Sequence, residues 1–274
     1  MSRFLVWIIL ERQGLDIGFL FGRNKKNKPK AVAFVDYEHW YISMEKLYNM
    51  KPDLQSWVNS IMEMADVKEI VFFADFSNAS IASEIPRIRG FSNKIIETRN
   101  VNPKNEKDFT DFIMLDHIYQ QAFQNDGTEM FIIFTGDAHF NSVVAFLKTF
   151  CKKQVGVFGV KGAFSNQLKM SASWWIEIPT DDDLNKIYSD MILKNFKFLE
   201  SKKNSKGKIT FEKTVQTVAK FNKVKPELIS KAMNDLIARG YIVRKVEYIK
   251  GSKMVSLRAD FKKLENDGLW VNGD

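Results

Sequence analysis

Between residues 31 and 178, short apolar runs alternate with amphipathic stretches, and this alternation constrains the fold more than any other feature of the chain. The first run, residues 31–35, is wholly apolar and is followed at once by Asp36. Continuous runs of this kind are typical of strands that are buried on both faces of a parallel sheet. Five similar runs follow at residues 69–74, 94–98, 130–134, 155–160 and 174–178.

Helix-like segments lie near residues 52–65, 109–125, 139–152 and 165–171. Strands that alternate with helices are joined by right-handed crossovers, so we expect an α/β fold with a doubly wound, mostly parallel sheet. Ligands of such sheets bind beyond the carboxyl ends of the strands. This chain repeatedly places an aspartate there.

Composition excludes several classes of protein. With 45% apolar and 27% charged residues, the 274-residue chain can bury one or two cores and is not disordered. The single cysteine, Cys151, cannot form an internal disulfide. No convincing export signal accompanies it, so we expect a reducing, cytoplasmic setting.

Residues 1–30 form an apolar and basic N-terminal segment. Apolar runs at 4–10 and 18–21 precede a basic stretch at 23–30. Seven apolar residues are too few to span a bilayer, which needs about 20. An apolar wedge beside cations can hold a chain peripherally on an anionic membrane, through residues 4–21. Packing of the same residues against their own domain or a partner subunit is the other interpretation.

Charge is distributed unevenly along the chain. Residues 31–193 contain 15 Lys and Arg against 22 Asp and Glu, whereas residues 194–274 contain 19 against 9. This asymmetry predicts that the basic ends bind a polyanion, such as nucleic acid or a membrane surface. The acidic middle would use its carboxylates in a different role.

The C-terminal region indicates a second, smaller domain. After a helix and linker at 181–208, residues 209–274 contain two amphipathic helices, at 211–221 and 226–239, and strand-like stretches at 241–249 and 254–258. This order predicts a small α+β, winged-helix-like module, whose last residues, 259–274, we leave unassigned. It would bind nucleic-acid phosphates or, as the alternative, another protein. The candidate nucleic-acid-binding residues are Lys231, Asn234, Arg244, Lys245, Lys250 and Lys253.

Three aspartates carry the chemistry of the acidic middle. Asp36 and Asp137 follow strand-like runs, and Asp111 lies near the start of a helix-like segment. Carboxylates that converge without compensation repel one another, so such a cluster is stable mainly around a cation. Mg²⁺ and Mn²⁺ prefer oxygen ligands and bridge to phosphate oxygens. Gly136 would let the backbone approach a ligand closely.

With these motifs in place, residues 31–179 resemble a NYN domain, a branch of the PIN-like nuclease superfamily. The matching stretches are 31–36, then Lys107 with Thr110, Asp111 and Asp116, then 135–140, and finally 155–159, 165–168 and 174–178. The resemblance implies a metal-dependent ribonuclease, with Mg²⁺ or Mn²⁺ on Asp36, Asp111 and Asp137. It implies Asp116 as a fourth acid and, by analogy with PIN-like domains, a homodimer.

Two histidines depart from the family pattern. His139 stands where a second aspartate is common, and His39 where an asparagine is usual. Because neutral imidazole ligates Mn²⁺ or Zn²⁺, His139 joins the candidate catalytic residues, and the site would change its metal preference, slow down or lose catalysis. The leading hypothesis is an endoribonuclease whose basic module recruits RNA. The alternative is an inactive RNA-binding or scaffold protein. Glu38 and Asp75 are weaker candidates that would hold a water or cap a helix.

Overall fold

A computed structural model of the chain describes residues 28–98, 109–124, 126–201, 209–249 and 252–270. These residues divide into two compact units, Met1–Pro179 and Thr180–Asp274. The apolar segment 4–21, Lys107 and Lys250 lie outside the described residues, as does the side chain of Lys253. Within those ranges, no helix is both long and apolar enough to cross a membrane.

The first unit is built on a six-stranded sheet in the order β3-β2-β1-β4-β5-β6, and every neighbouring pair is parallel. The sheet confirms the predicted doubly wound α/β fold. Its strands are β1 (Lys30–Asp36), β2 (Asp66–Ala74), β3 (Ile95–Glu97), β4 (Met130–Phe134), β5 (Gln154–Val160) and β6 (Trp174–Ile178).

Seven α-helices of the described first unit connect these strands. They are α1 (Tyr37–Tyr48), α2 (Leu54–Met64), α3 (Ala79–Ala82), α4 (Ile85–Arg89), α5 (Phe109–Phe123), α6 (Asn141–Thr149) and α7 (Asn166–Ser171). The sequence analysis did not predict α1, α3 or α4. Helix α1 begins directly after Asp36, with no loop between strand and helix.

Both faces of the sheet are covered, because successive side chains of a strand point to opposite faces. On one face, Phe34 of β1 packs in a cluster with residues of α5 and α6 such as Met114 and Val143. On the other, Trp40 of α1 stacks on Phe134 of β4 with ring centroids 4.0 Å apart. This aromatic packing fixes the ends of β1 and β4, where the predicted acids lie.

The second unit consists of helices and a two-stranded antiparallel sheet. Its elements are α8 (Asp181–Ser201), α9 (Phe211–Asn222), α10 (Pro226–Ala238), β7 (Ile242–Ile249), β8 (Ser252–Ala259) and α11 (Phe261–Asn266). Helix α8, which the sequence analysis separates from the module, packs against α9 and α10. The backbone N–H of Leu257 in β8 donates to the carbonyl of Ile209 (2.9 Å), so the residues just before α9 lie beside the hairpin.

Candidate metal centre

Asp36 ends β1 and at the same time begins α1. One carboxylate oxygen accepts the backbone N–H of His39 (2.9 Å), which caps the helix. The other accepts the Thr135 hydroxyl (3.3 Å). Burial raises the pKa of Asp36 to about 7, and the negative charges of Glu38 and Asp137 act in the same direction. Burial therefore favours the protonated form of this carboxyl more than in an exposed aspartate.

The turn after β4 positions Asp137. The Thr135 hydroxyl oxygen accepts the backbone N–H of Asp137 (3.3 Å) while the hydroxyl donates to Asp36, so one threonine links the tips of two adjacent strands. The Asp137 carboxylate accepts the backbone N–H of His139 (2.9 Å) and starts a 3₁₀ turn over Ala138–Phe140. The imidazole of His139 is thereby held beside the carboxylate two residues before it.

The Asp-His cluster, comprising Asp111, Asp137 and His139, lies at this edge of the sheet. His139 Nδ1 is 3.3 Å from an Asp137 oxygen and 3.6 Å from an Asp111 oxygen. One potential ligand atom from each residue lies within 4.8 Å of the others. The exposed fraction of the side chains rises from 13% for Asp111 through 36% for Asp137 to 58% for His139. The cluster is thus buried at its base and open to solvent at the histidine.

The donors of the Asp-His cluster fit a divalent ion. Two carboxylates and one imidazole nitrogen converge, and the buried Asp36 carboxyl, whose pKa is raised partly by Asp137, adds a further negative charge once it is ionised. Carboxylate-rich sites with an imidazole suit Mn²⁺ and related ions, whereas Mg²⁺ favours oxygen ligands throughout. Such an ion, when bound, neutralises charge on a phosphodiester and lowers the pKa of a coordinated water.

Gly136 and His39 form the wall beside the cluster. A Cβ atom at Gly136 would lie 1.9 Å from the Ala163 carbonyl oxygen and 2.4 Å from His39 Nε2. His39 Nε2 lies 3.3 Å from the same carbonyl, a contact in which the ring donates. Burial lowers the pKa of His39, which keeps the imidazole neutral. The space that the sequence analysis reserved for a ligand is occupied by the protein's own backbone and this histidine.

The structure does not bring Asp116 to the Asp-His cluster. Five residues along an α-helix rotate the side chain by about 140°. Asp116 is consequently exposed, and its carboxylate accepts the Gln120 amide (2.7 Å) on the outside of α5.

Glu38 has a structural connection that sequence reasoning missed. Its carboxylate accepts the backbone N–H of Asp75 (3.1 Å) and the hydroxyl of Thr110 (3.4 Å). Thr110 in turn hydrogen-bonds Thr98 (2.7 Å). This chain of contacts ties the tips of β2 and β3 to the first turn of α5, and so holds the helix that carries Asp111.

The predicted nucleic-acid contacts of the second unit lie on its surface where they are described. Lys231 and Asn234 are exposed on α10, whose buried side contains Ala232 and Met233. Arg244 and Lys245 are exposed on β7. These four side chains are therefore accessible to solvent.

Comparison with known proteins identifies the first unit as a NYN domain, the kind of domain found in PIN-like nucleases. The family model for the NYN domain matches residues 30–179. The chain therefore belongs to the NYN domain family, and the match covers just over half of it. No curated protein matches the sequence.

Solved structures include a similar fold. A crystal structure of a protein of unknown function from Vibrio parahaemolyticus RIMD 2210633 superposes with a TM-score of 0.50 at 20% sequence identity. The match covers 57% of this chain and 96% of that one. At this identity the likeness concerns the fold alone.

Proposed function

We propose that the chain is a metal-dependent endoribonuclease that cleaves RNA at the Asp-His cluster. The observation that carries this proposal is the convergence of Asp111, Asp137 and His139 at the carboxyl edge of a parallel sheet, above the buried Asp36. Ligands of open α/β sheets bind at this edge. Membership of a nuclease family supports hydrolysis of a phosphodiester as the reaction.

The residues of the centre have separate roles in this proposal. Asp111 and Asp137 hold the divalent ion, and His139, the most exposed of the three, supplies a third donor at the solvent side. Asp36 is buried and interacts with the charge of Asp137, and a bound cation would favour its ionised form. Thr135 and Glu38 position these groups through hydrogen bonds.

The second unit recruits the substrate in this proposal. Its helices, the Ile209 pairing and the hairpin follow the order of a winged helix. Its excess of positive charge attracts the RNA backbone without reading sequence. Homodimer formation, peripheral membrane contact and a cytoplasmic location stay predictions.

A cleavage assay tests the proposal. End-labelled single-stranded RNA is incubated with purified protein and Mn²⁺, Mg²⁺ or EDTA, beside Asp137→Asn and the exposed-acid control Glu63→Gln. We expect internal cuts that need the metal, persist in Glu63→Gln and fall more than ~100-fold in Asp137→Asn, since loss of second-shell groups alone costs 10–100-fold. Equal cleavage by Asp137→Asn would overturn the assignment of this centre.

A specific observation favours a second function, RNA binding without cleavage. The imidazole of His139 lies 3.3 Å from Asp137 and 3.6 Å from Asp111, so the ring can partner the two carboxylates in place of a metal ion. Titration with Mn²⁺, followed by electron paramagnetic resonance, separates the two functions. If the centre is a nuclease site, the natural chain binds Mn²⁺. The His139→Asp substitution then raises the affinity of the centre for Mg²⁺ relative to Mn²⁺. A binding protein of this kind takes up Mn²⁺ only after the His139→Asp substitution.

A further inference from the structure

An apolar groove lies between helices α8 and α9 of the second unit. Its volume is about 810 Å³, and every residue that lines it belongs to one of these two helices. The apolar side chains in the groove are Ile187, Met191, Phe198, Val218 and Phe221. Phe198 and Phe221 are nevertheless 55% and 86% exposed. Clustered apolar side chains that stay open to solvent mark an interaction surface.

Helix α8 supplies one wall of the groove through a second apolar line beside its buried one. Its residues Leu184 and Tyr188 are buried within the second unit. Ile187, Met191 and Phe198 follow one another at intervals of four and seven residues, so they lie along a single line on the same helix. This line is about 16 Å long, which equals three turns of a helix docked beside it.

The borders of the groove carry positive charge. Lys186 and Lys194 line it on α8. On α9, the exposed Lys213 and Lys220 lie about one helical turn from lining residues and flank the same face. Asp190 also lines the groove, but its carboxylate pairs with Lys194 (2.7 Å). An occupant that complements the groove therefore has an apolar face with acidic borders.

We propose that this groove binds an acidic amphipathic helix of a partner protein. Recognition of a helix in a groove uses apolar anchors three, four and seven residues apart, which matches the spacing on α8. Acidic side chains beside those anchors would pair with the lysines at the borders. Residues 180–274 contain 20 Lys and Arg against 13 Asp and Glu, so the whole unit attracts such a partner. The groove uses neither α10 nor β7, which carry the proposed RNA contacts.

Charge and chemistry favour this occupant over three others. A second copy of the groove would bring the same lysines together. Residues 1–30 of this chain are apolar in part, but they carry 7 Lys and Arg against 2 Asp and Glu and would also be repelled. Single-stranded RNA is anionic, but its bases stack on successive aromatic rings, whereas Ile187, Met191 and Val218 give the groove an aliphatic floor.

Peptide binding to the full chain tests the proposal. The probe is a fluorescein-labelled, stapled helix of about 18 residues, with leucines at positions i, i+4, i+7 and i+11 and glutamates beside them. One control peptide has lysines in place of the glutamates, and another has the same residues in scrambled order. Fluorescence anisotropy at a fixed salt concentration measures the affinities. We expect saturable binding of the glutamate peptide and at least ~10-fold weaker binding of both controls.

Substitutions at exposed positions show whether the peptide lies in the groove. Phe198→Ser and Phe221→Ser should each weaken binding of the glutamate peptide by ~10-fold or more, because each removes an apolar anchor contact. Both side chains are more than half exposed, so the unit should stay folded, which circular dichroism checks. Val243→Ser, at a 43% exposed site on β7, is the matched control and should leave the affinity unchanged. Lys186→Glu combined with Lys213→Glu should reverse the preference toward the lysine peptide.

Several results would overturn the proposal. These are an absence of binding, equal affinity for the glutamate peptide and a control peptide, and binding that neither phenylalanine substitution weakens. Displacement of the peptide by oligouridine that binds the natural chain but not Phe221→Ser would assign the groove to RNA. A dimer of the full chain in sedimentation that Phe221→Ser converts to a monomer would assign it to a second copy. None of these measurements depends on nuclease activity.

Discussion

The two units differ in how they use their buried side chains. The NYN domain packs aromatic rings against its sheet, with Trp40 on Phe134, and holds carboxylates in a fixed arrangement at one edge. The second unit has a largely aliphatic core that includes Ile229 and Met233, and it carries exposed cations on a helix and a hairpin. Converging acids require rigid supports, whereas attraction of a polyanion requires only accessible positive charge.

The largest change in stability should come from substitutions in the aromatic core of the NYN domain. Trp40→Ala removes a fully buried ring and should lower the free energy of unfolding of the NYN domain by ~3–5 kcal/mol. Met233→Ala should destabilise the second unit by ~2–5 kcal/mol and leave the NYN transition unchanged. Urea unfolding followed by circular dichroism measures both. Ile42→Ala, at an exposed site, is the control, and one shared transition in every variant would break the distinction between the units.

Asp36 should make the stability of the NYN domain depend on pH. Its pKa rises from 3.8 to about 7 on folding, so between these values the folded chain binds more protons than the unfolded chain. The free energy of unfolding should therefore increase as pH falls from 7 toward 4, by the order of a few kcal/mol. Urea unfolding in EDTA at pH 5 and pH 8 tests this against Asp36→Asn, which keeps a capping side chain. Burial lowers the pKa of His39, so this residue makes the folded state less stable as pH falls. Subtracting the free energy of unfolding of Asp36→Asn from that of the natural chain at each pH removes this contribution. An identical pH dependence in both proteins would contradict the prediction.

Gly136→Ala should damage the site and the fold together. The added Cβ would meet the Ala163 carbonyl and His39, so we expect a loss of ~1–3 kcal/mol from overpacking and weaker Mn²⁺ binding at the adjoining Asp137. Differential scanning calorimetry and Mn²⁺ titration measure the two effects. Gly90→Ala is the matched control, since Gly90 has a helical backbone with φ −64°. Equal stability and equal Mn²⁺ affinity in the two variants would mean that the Ala163 backbone and His39 shift to accommodate the Cβ atom at little cost.

The smallest effects should come from the cations of the second unit. Lys231→Ala and Arg244→Ala should each reduce the slope of log affinity against log salt by about 0.7 on single-stranded RNA, if each side chain contacts one phosphate. Fluorescence anisotropy with labelled RNA at several salt concentrations measures the slope. Lys186→Ala, on the exposed side of α8, should leave it unchanged. Equal slopes in all four proteins would favour the alternative in which this unit binds another protein.

The sheet could be predicted because a continuous apolar run is a local signal. The sequence also predicted that Asp36 and Asp137 lie at one edge of the sheet, because the carboxyl ends of parallel strands share an edge. It failed for Asp116, whose position on α5 is set by helical rotation away from the cluster. The contacts of Glu38 with Asp75 and of His39 with Ala163 were also missed. These pairs are far apart in the chain and meet only after the fold forms. The capping role of Asp36, by contrast, had a local signal that could have revealed α1.

The double role of Asp36 affects how relatives of this protein should be interpreted. Because the same carboxylate caps α1 and faces the site, selection for folding alone is enough to preserve it. A relative that has lost its chemistry would retain an aspartate there. Asp111 lies within the first turn of its helix and not at the cap position before it, so it does not share the capping role of Asp36. Substitution of Asp111 beside an unchanged Asp36 would mark a relative that keeps the scaffold without the proposed metal centre.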